Sequence, residues 1–136
     1  MPKFPDSFPK GCPSIGQAVN KKIYHGCEGN PSTQEDFTPF ASSSNPRKQK
    51  LALQNPCNAS GISCWISKEA AQHAQEIFQW AARWHIFVGD VSPNEGQLAH
   101  TPSSNQSEHY TFWCYEGVNL QSLFSLSWGP NEEFGK

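Results

Sequence analysis

One stretch of this chain, residues 68–82 (KEAAQHAQEIFQWAA), repeats its apolar side chains at helical spacing. Ala70, Ala74, Ile77, Phe78 and Ala81 fall on one face of a 3.6-residue period. Ser67 stands where an N-cap belongs. Glu69 sits in the first turn, where the helix dipole favours a negative charge. The other apolar stretches are short and rich in aromatic and β-branched residues, and they alternate or run continuously as strands do. KKIYHG (21–26), SGISCWIS (60–67), WHIFVGDV (84–91), GQLAHT (96–101), HYTFWCYEGVN (109–119) and LQSLFSLSW (120–128) read this way. One main helix with five or six strands, mostly antiparallel, predicts a single α+β domain.

Length agrees with that count. The 136 residues suffice for one domain with a real core. Hydrophobic content of 36% and charged content of 16% leave a large remainder of Ser, Asn, Gln, Pro and Gly. Long polar loops around a modest core follow. Residues 1–20 carry Pro2, Pro5, Pro9 and Pro13 and read as an irregular arm, with Phe4 and Phe8 placed to pin it to the body. Residues 21–128 form the domain, and 129–136 a polar tail. Residues 27–56 are loop-rich, with a short helix around 48–53. A loop of that length is often functional or mobile.

Several function classes are disfavoured. A net charge of −2 gives no basic field for nucleic acid. No apolar run is long enough to span a membrane. The opening MPKFPDSFPKGCPS has no apolar signal core, so a cytoplasmic protein is the expectation. The five cysteines, Cys12, Cys27, Cys57, Cys64 and Cys114, are odd in number and irregular in spacing. They read as small buried hydrophobes rather than a disulfide framework. Cys57-x6-Cys64 is a weak zinc candidate without a paired motif, and His100-x8-His109 is a chance pair. Arg47-Lys48-Gln49-Lys50 reads as a solvated basic loop, and Trp80 and Trp84 at the helix end as core. There is no nucleophile elbow, P-loop or GxGxxG.

Three short constellations remain. Tyr24-His25-Gly26 puts a histidine at a strand end, with a glycine that lets a ligand approach the backbone. Ser63, Trp65 and Ser67 lie on a strand that feeds straight into the helix, where hydroxyls and free N–H groups gather. Glu116 ends a strand face of Tyr110, Phe112 and Cys114. Each alone has a plain structural explanation: a strand-end histidine, a cap with a core tryptophan, a solvated carboxylate.

Their order resembles the ADP-ribosyltransferase superfamily, whose domains use NAD on a split antiparallel β core. The resemblance rests on an early YHG strand, a Gly-x-Ser-x-aromatic-x-Ser strand opening a helix of the form xEAAxxA, and a late Glu. It implies that His25 holds the adenosine-side ribose of NAD, with Tyr24 and Gly26 at the entry and the Gly26 backbone facing the carboxamide. Ser63, Trp65 and Ser67 would lie beside the nicotinamide, and Glu116 would hold its ribose as the catalytic carboxylate. A fixed carboxylate in that place stabilises the positive charge that builds on the sugar as the nicotinamide–ribose bond breaks. The histidine-bearing subgroup usually has Tyr where this chain has Trp65 or Ser67. The resemblance implies transfer of ADP-ribose to an unknown protein, nucleic-acid or small-molecule acceptor, or to water, with an inhibitory partner protein for a toxin-like activity. The competing expectation is a non-catalytic nucleotide-binding or protein-interaction module on the same fold.

Overall fold

The computed structural model describes residues 3–77 and 81–130. Phe78, Trp80 and most of the polar tail, which figure in the sequence reading, lie outside them. Six strands form two three-stranded antiparallel sheets. The first has the order β1 (Lys21–Cys27), β3 (His85–Val91), β6 (Phe124–Trp128); the second has β2 (Ile62–Cys64), β5 (Tyr110–Cys114), β4 (Gly96–His100). The α+β architecture expected from the patterning is the one observed. β1 runs one residue further than its expected stretch, to Cys27, and the other strands are shorter than theirs. LQSLFSLSW begins as a 3-10 turn over Leu120–Leu123 before β6 starts.

One backbone bridge stitches the two sheets together. Tyr24 N–H donates to the Trp65 carbonyl at 2.7 Å, and Trp65 N–H returns a bond to Tyr24 at 3.0 Å. The sheets therefore splay from a joint at β1 and β2, with a separate apolar cluster on each side. Ile23, Cys27, Phe87, Leu98, Phe112 and Phe124 centre one, while Tyr24, Trp65, Ile86 and Trp128 pack with the helix alanines in the other.

Helix α3 covers Lys68–Ile77. The Ser67 hydroxyl caps it by accepting from Ala70 N–H at 3.1 Å. Its small face, Ala70, Ala71 and Ala74, is buried. Alanines let the helix lie close to the bulky rings of Tyr24, Trp65 and Trp128. Ile77, expected in the core, is 41% exposed. Buried Gln75 works in its place: its Nε2 donates to the Trp84 carbonyl at 2.8 Å, and its Oε1 accepts from the Trp128 indole at 2.7 Å. The helix is thus held by polar keys as well as by apolar contact.

The long 27–56 segment is more structured than its composition suggests. It holds 3-10 turns at Gln34–Phe37 and Phe40–Ser42, α1 over Pro46–Ala52 and the start of α2 over Pro56–Ala59. Asn45 accepts from Arg47 N–H at 2.9 Å and Pro46 follows it, a strong start signal for α1. The basic run lies on α1, and Lys48 pairs with Glu35 at 3.5 Å.

Ring contacts, a backbone bridge and a disulfide all anchor the N-terminal arm. Phe4 stacks on Phe8 and on Tyr115, with ring centroids 5.3 and 4.7 Å apart. Gln17 bridges to Leu98 of β4. Cys12 forms a disulfide with Cys57, across 45 residues of sequence. That bond corrects the expectation of reduced cysteines: the arm folds back over α2, a contact that spacing alone does not reveal. It also removes Cys57 from any zinc set, and Cys64 is fully buried. Among the described residues no group of three His, Cys, Asp or Glu side chains could hold a metal ion. None of the described helices is long and apolar enough to cross a membrane.

Candidate functional site

The first two sequence constellations meet at the joint between the sheets. His25 is buried, and its ring is held between two backbone carbonyls: Nδ1 lies 2.6 Å from the Ser63 oxygen and Nε2 2.5 Å from the Asp36 oxygen. One ties β1 to β2, and the other ties the 3-10 turn at Gln34–Phe37 to the sheet. Phe37 and Phe124 flank the ring. Burial holds the His25 pKa below its ordinary value, opposed by the two carbonyls, which favour a protonated ring. With both nitrogens on main-chain oxygens, His25 is a clamp in this structure. It does not offer a free nitrogen to a ribose.

The neighbours of His25 are equally committed. Tyr24 is buried against Trp128, at 6.0 Å between ring centroids, rather than lining an entry. Burial, with Glu69 and Asp90 nearby, raises its pKa. Gly26 is needed for a close approach, but the group that approaches is the Trp84 indole. A Cβ at position 26 would stand 2.3 Å from that ring. The carboxamide-facing backbone expected there is covered by the protein itself. Ser67 serves as the α3 cap. Trp65 is buried, and its indole N–H donates to Gln106 Oε1 at 3.2 Å.

Glu116 stands apart from this cluster. β5 ends at Cys114, and Glu116 lies in the turn that Gly117 completes with a φ of 84°. Its N–H donates to the Lys3 carbonyl at 2.8 Å, and its half-exposed carboxylate pairs with the Lys3 ammonium at 3.7 Å. Ser63 is registered opposite Thr111. Glu116 is five residues further on, so three strand steps of β5, roughly 10 Å, plus the turn separate it from that point. The carboxylate that ends the apolar row reaches water and the arm.

The start of β5 supplies what its end does not. His109 Nε2 lies 2.9 Å from Ser63 Oγ. Its Nδ1 lies 2.9 Å from the Thr101 carbonyl oxygen and 3.0 Å from the Thr101 hydroxyl. The Thr101 hydroxyl also meets Thr111 Oγ1 at 2.7 Å. Trp65 presents its edge to the His109 ring, with centroids 5.9 Å apart. Burial, more than His100 beside it, holds the His109 pKa below its ordinary value. Ser63 itself is exposed. A small open cleft of about 80 Å³ shares Trp65 with this group and is lined beyond it by Ala70, His73, Gln106 and Glu108 among others. Gln106 is buried, and its Nε2 has no hydrogen-bond partner among the described residues.

Of the residues singled out from sequence, Ser63 alone has an exposed reactive group inside the cluster. His109 and Gln106 were missed. The signal for His109 was the alternation that puts His109, Thr111 and Trp113 on one face of β5, facing β2. No protein-family model, curated protein or solved structure matches this chain.

Proposed function

We propose that this domain is an ADP-ribosyltransferase-like enzyme that cleaves the nicotinamide–ribose bond of NAD at the joint between its two sheets. The observation that carries the reading is the meeting of the YHG and Ser-x-Trp strands: His25 is clamped to the Ser63 carbonyl while Tyr24 and Trp65 exchange backbone bonds. A split antiparallel core with those two motifs at the split is the arrangement that the resemblance implies. The cleft of about 80 Å³ is well below the several hundred Å³ of enclosed ligand sites. NAD would therefore lie along the open surface with only one end inserted. In this reading exposed Ser63 and the cleft residue Gln106 would meet it, and the acceptor is a protein, a nucleic acid, a small molecule or water.

A second reading, a nucleotide-binding or protein-interaction module without catalysis, is favoured by one observation. The carboxylate assigned to catalysis, Glu116, is engaged with Lys3 outside the cluster. An inhibitory partner protein belongs with the enzymatic reading. The cytoplasmic placement is weakened by the Cys12–Cys57 disulfide, since such bonds persist chiefly in oxidising compartments.

The test is nicotinamide release from NAD by the purified chain, beside Glu116→Gln and Ser63→Ala, with calorimetric titration of NAD. Release that falls in Ser63→Ala supports the enzyme; a fall in Glu116→Gln as well restores the carboxylate to the mechanism. Binding without release selects the module. The absence of both binding and release rejects the enzyme and the NAD-binding module, and leaves the protein-interaction module.

A further inference from the structure

The tautomer of His109 follows from its neighbours. The Thr101 carbonyl can only accept a hydrogen bond, so the nitrogen 2.9 Å from it, Nδ1, must carry a proton. The neutral ring then has its lone pair on Nε2, pointed at the Ser63 hydroxyl 2.9 Å away. That is the relation of a general base to a nucleophile, with a third group, here a main-chain oxygen, fixing the base. A structural serine would ordinarily cap a turn or bond a carbonyl. Ser63 instead sits mid-strand on β2, exposed, two residues before Trp65 and so on the same face.

We infer that Ser63 and His109 form a nucleophile–base pair that cleaves small, uncharged acyl esters, an activity separate from any use of NAD. The side chains in contact with the pair, Thr101 and Trp65, and Thr111 behind Thr101, are neutral and offer no cation for a phosphate. The cleft beside them admits only a small group. Gln106 lines it, and its buried Nε2, without a hydrogen-bond partner among the described residues, is a spare donor next to it that suits a carbonyl oxygen. In the reaction the Ser63 hydroxyl proton passes to His109 Nε2 as Oγ bonds the acyl carbon. The carbon–oxygen bond to the alcohol then breaks, and the alcohol leaves with that proton. Water attacks the acyl-serine as His109 Nε2 again takes a proton; the acyl carbon–Oγ bond breaks, the carboxylic acid leaves, and Ser63 Oγ takes the proton back from His109.

The test uses a fluorophosphonate probe on the full chain at pH 7.5, with adducts mapped by mass spectrometry. Attack by Ser63 forms an oxygen–phosphorus bond and expels fluoride. One adduct at Ser63 is expected. It should be absent in Ser63→Ala and slowed roughly a hundredfold or more in His109→Gln, with both variants shown folded by circular dichroism. The rate should be level at neutral and higher pH and fall in acid, below the ordinary histidine range, as His109 takes a proton. His100 and His25, with His73 and Glu108 around the cleft, are the other titratable neighbours; His100→Gln removes a neighbour that lowers the His109 pKa, so it should move the fall upward in pH without abolishing the adduct. Hydrolysis of a short-chain nitrophenyl ester should follow the same pattern. No adduct, an adduct at another serine, or labelling unchanged in His109→Gln overturns the proposal. Nicotinamide release is read separately, so either activity can fail without the other.

Discussion

The Nδ1 of His25 lies 2.6 Å from the carbonyl oxygen of Ser63, so the joint between the two sheets is closed by a side chain as well as by backbone. The same ring reaches the Asp36 carbonyl. It thus ties the first sheet, the second sheet and the 3-10 turn at Gln34–Phe37 together.

Replacing His25 with alanine should therefore cost more than an ordinary surface histidine. A buried ring is lost, and two carbonyls lose their partner. The expected destabilisation is about 2–4 kcal/mol, read by urea unfolding. Hydrogen exchange should show the Gln34–Phe37 turn losing protection before the sheets do, since ties that remain to it, the Glu28 N–H bond to Asp36 and the Lys48–Glu35 pair among them, lie at its exposed edge.

Stability should fall in mild acid. Burial holds the pKa values of His25 and His109 below the ordinary histidine value. In the unfolded chain both return to about 6.5. Below that pH the unfolded state takes up protons that the folded state resists, which favours unfolding. Stability should be level above about pH 7 and decline through pH 6.5 toward the folded values. Urea midpoints at pH 5 and pH 7.5 measure this, and His109→Gln should reduce the difference.

Gly26→Ala should disturb the tryptophan packing. The added methyl would meet the Trp84 ring at 2.3 Å, so the ring must move. Trp84 also faces Trp65, at 5.8 Å between centroids. A cost of about 1–3 kcal/mol is expected, with a shift in tryptophan emission. Emission like that of the parent chain would mean that the backbone gives way instead.

Loss of the Cys12–Cys57 bond in Cys12→Ser should destabilise the chain by up to about 4 kcal/mol, the loop-entropy value for a closure of this length. Comparison of thermal unfolding with and without reductant gives the same quantity for the parent chain. A Cys12→Ser variant as stable as the parent would mean that Phe4 and Gln17 already fix the arm.

What the sequence revealed and what it hid divide along a physical line. Local signals were legible. The Ser67 cap, the alanine face of α3 and the alternation along β1 and β5 all act within a few residues. Long-range choices were not. Ile77 and Gln75 exchange their expected places because a glutamine amide fits between the Trp84 carbonyl and the Trp128 indole, which sequence period cannot foresee. The disulfide joins residues 45 apart with no spacing motif. Glu116 looked meaningful because it ended an apolar row, yet β5 ends two residues earlier and the turn carries it to Lys3. His109 opens the same run, and its pairing with His100 on paper concealed its pairing with Ser63 in space.

The Cys12–Cys57 bond also makes residues 12–57 a closed macrocycle that contains β1, both 3-10 turns and α1. A single protease cut anywhere inside that ring leaves no free fragment. The nicked protein would migrate as one species until the disulfide is reduced, and only then as two. The most loop-rich third of the chain can thus be severed and still be retained.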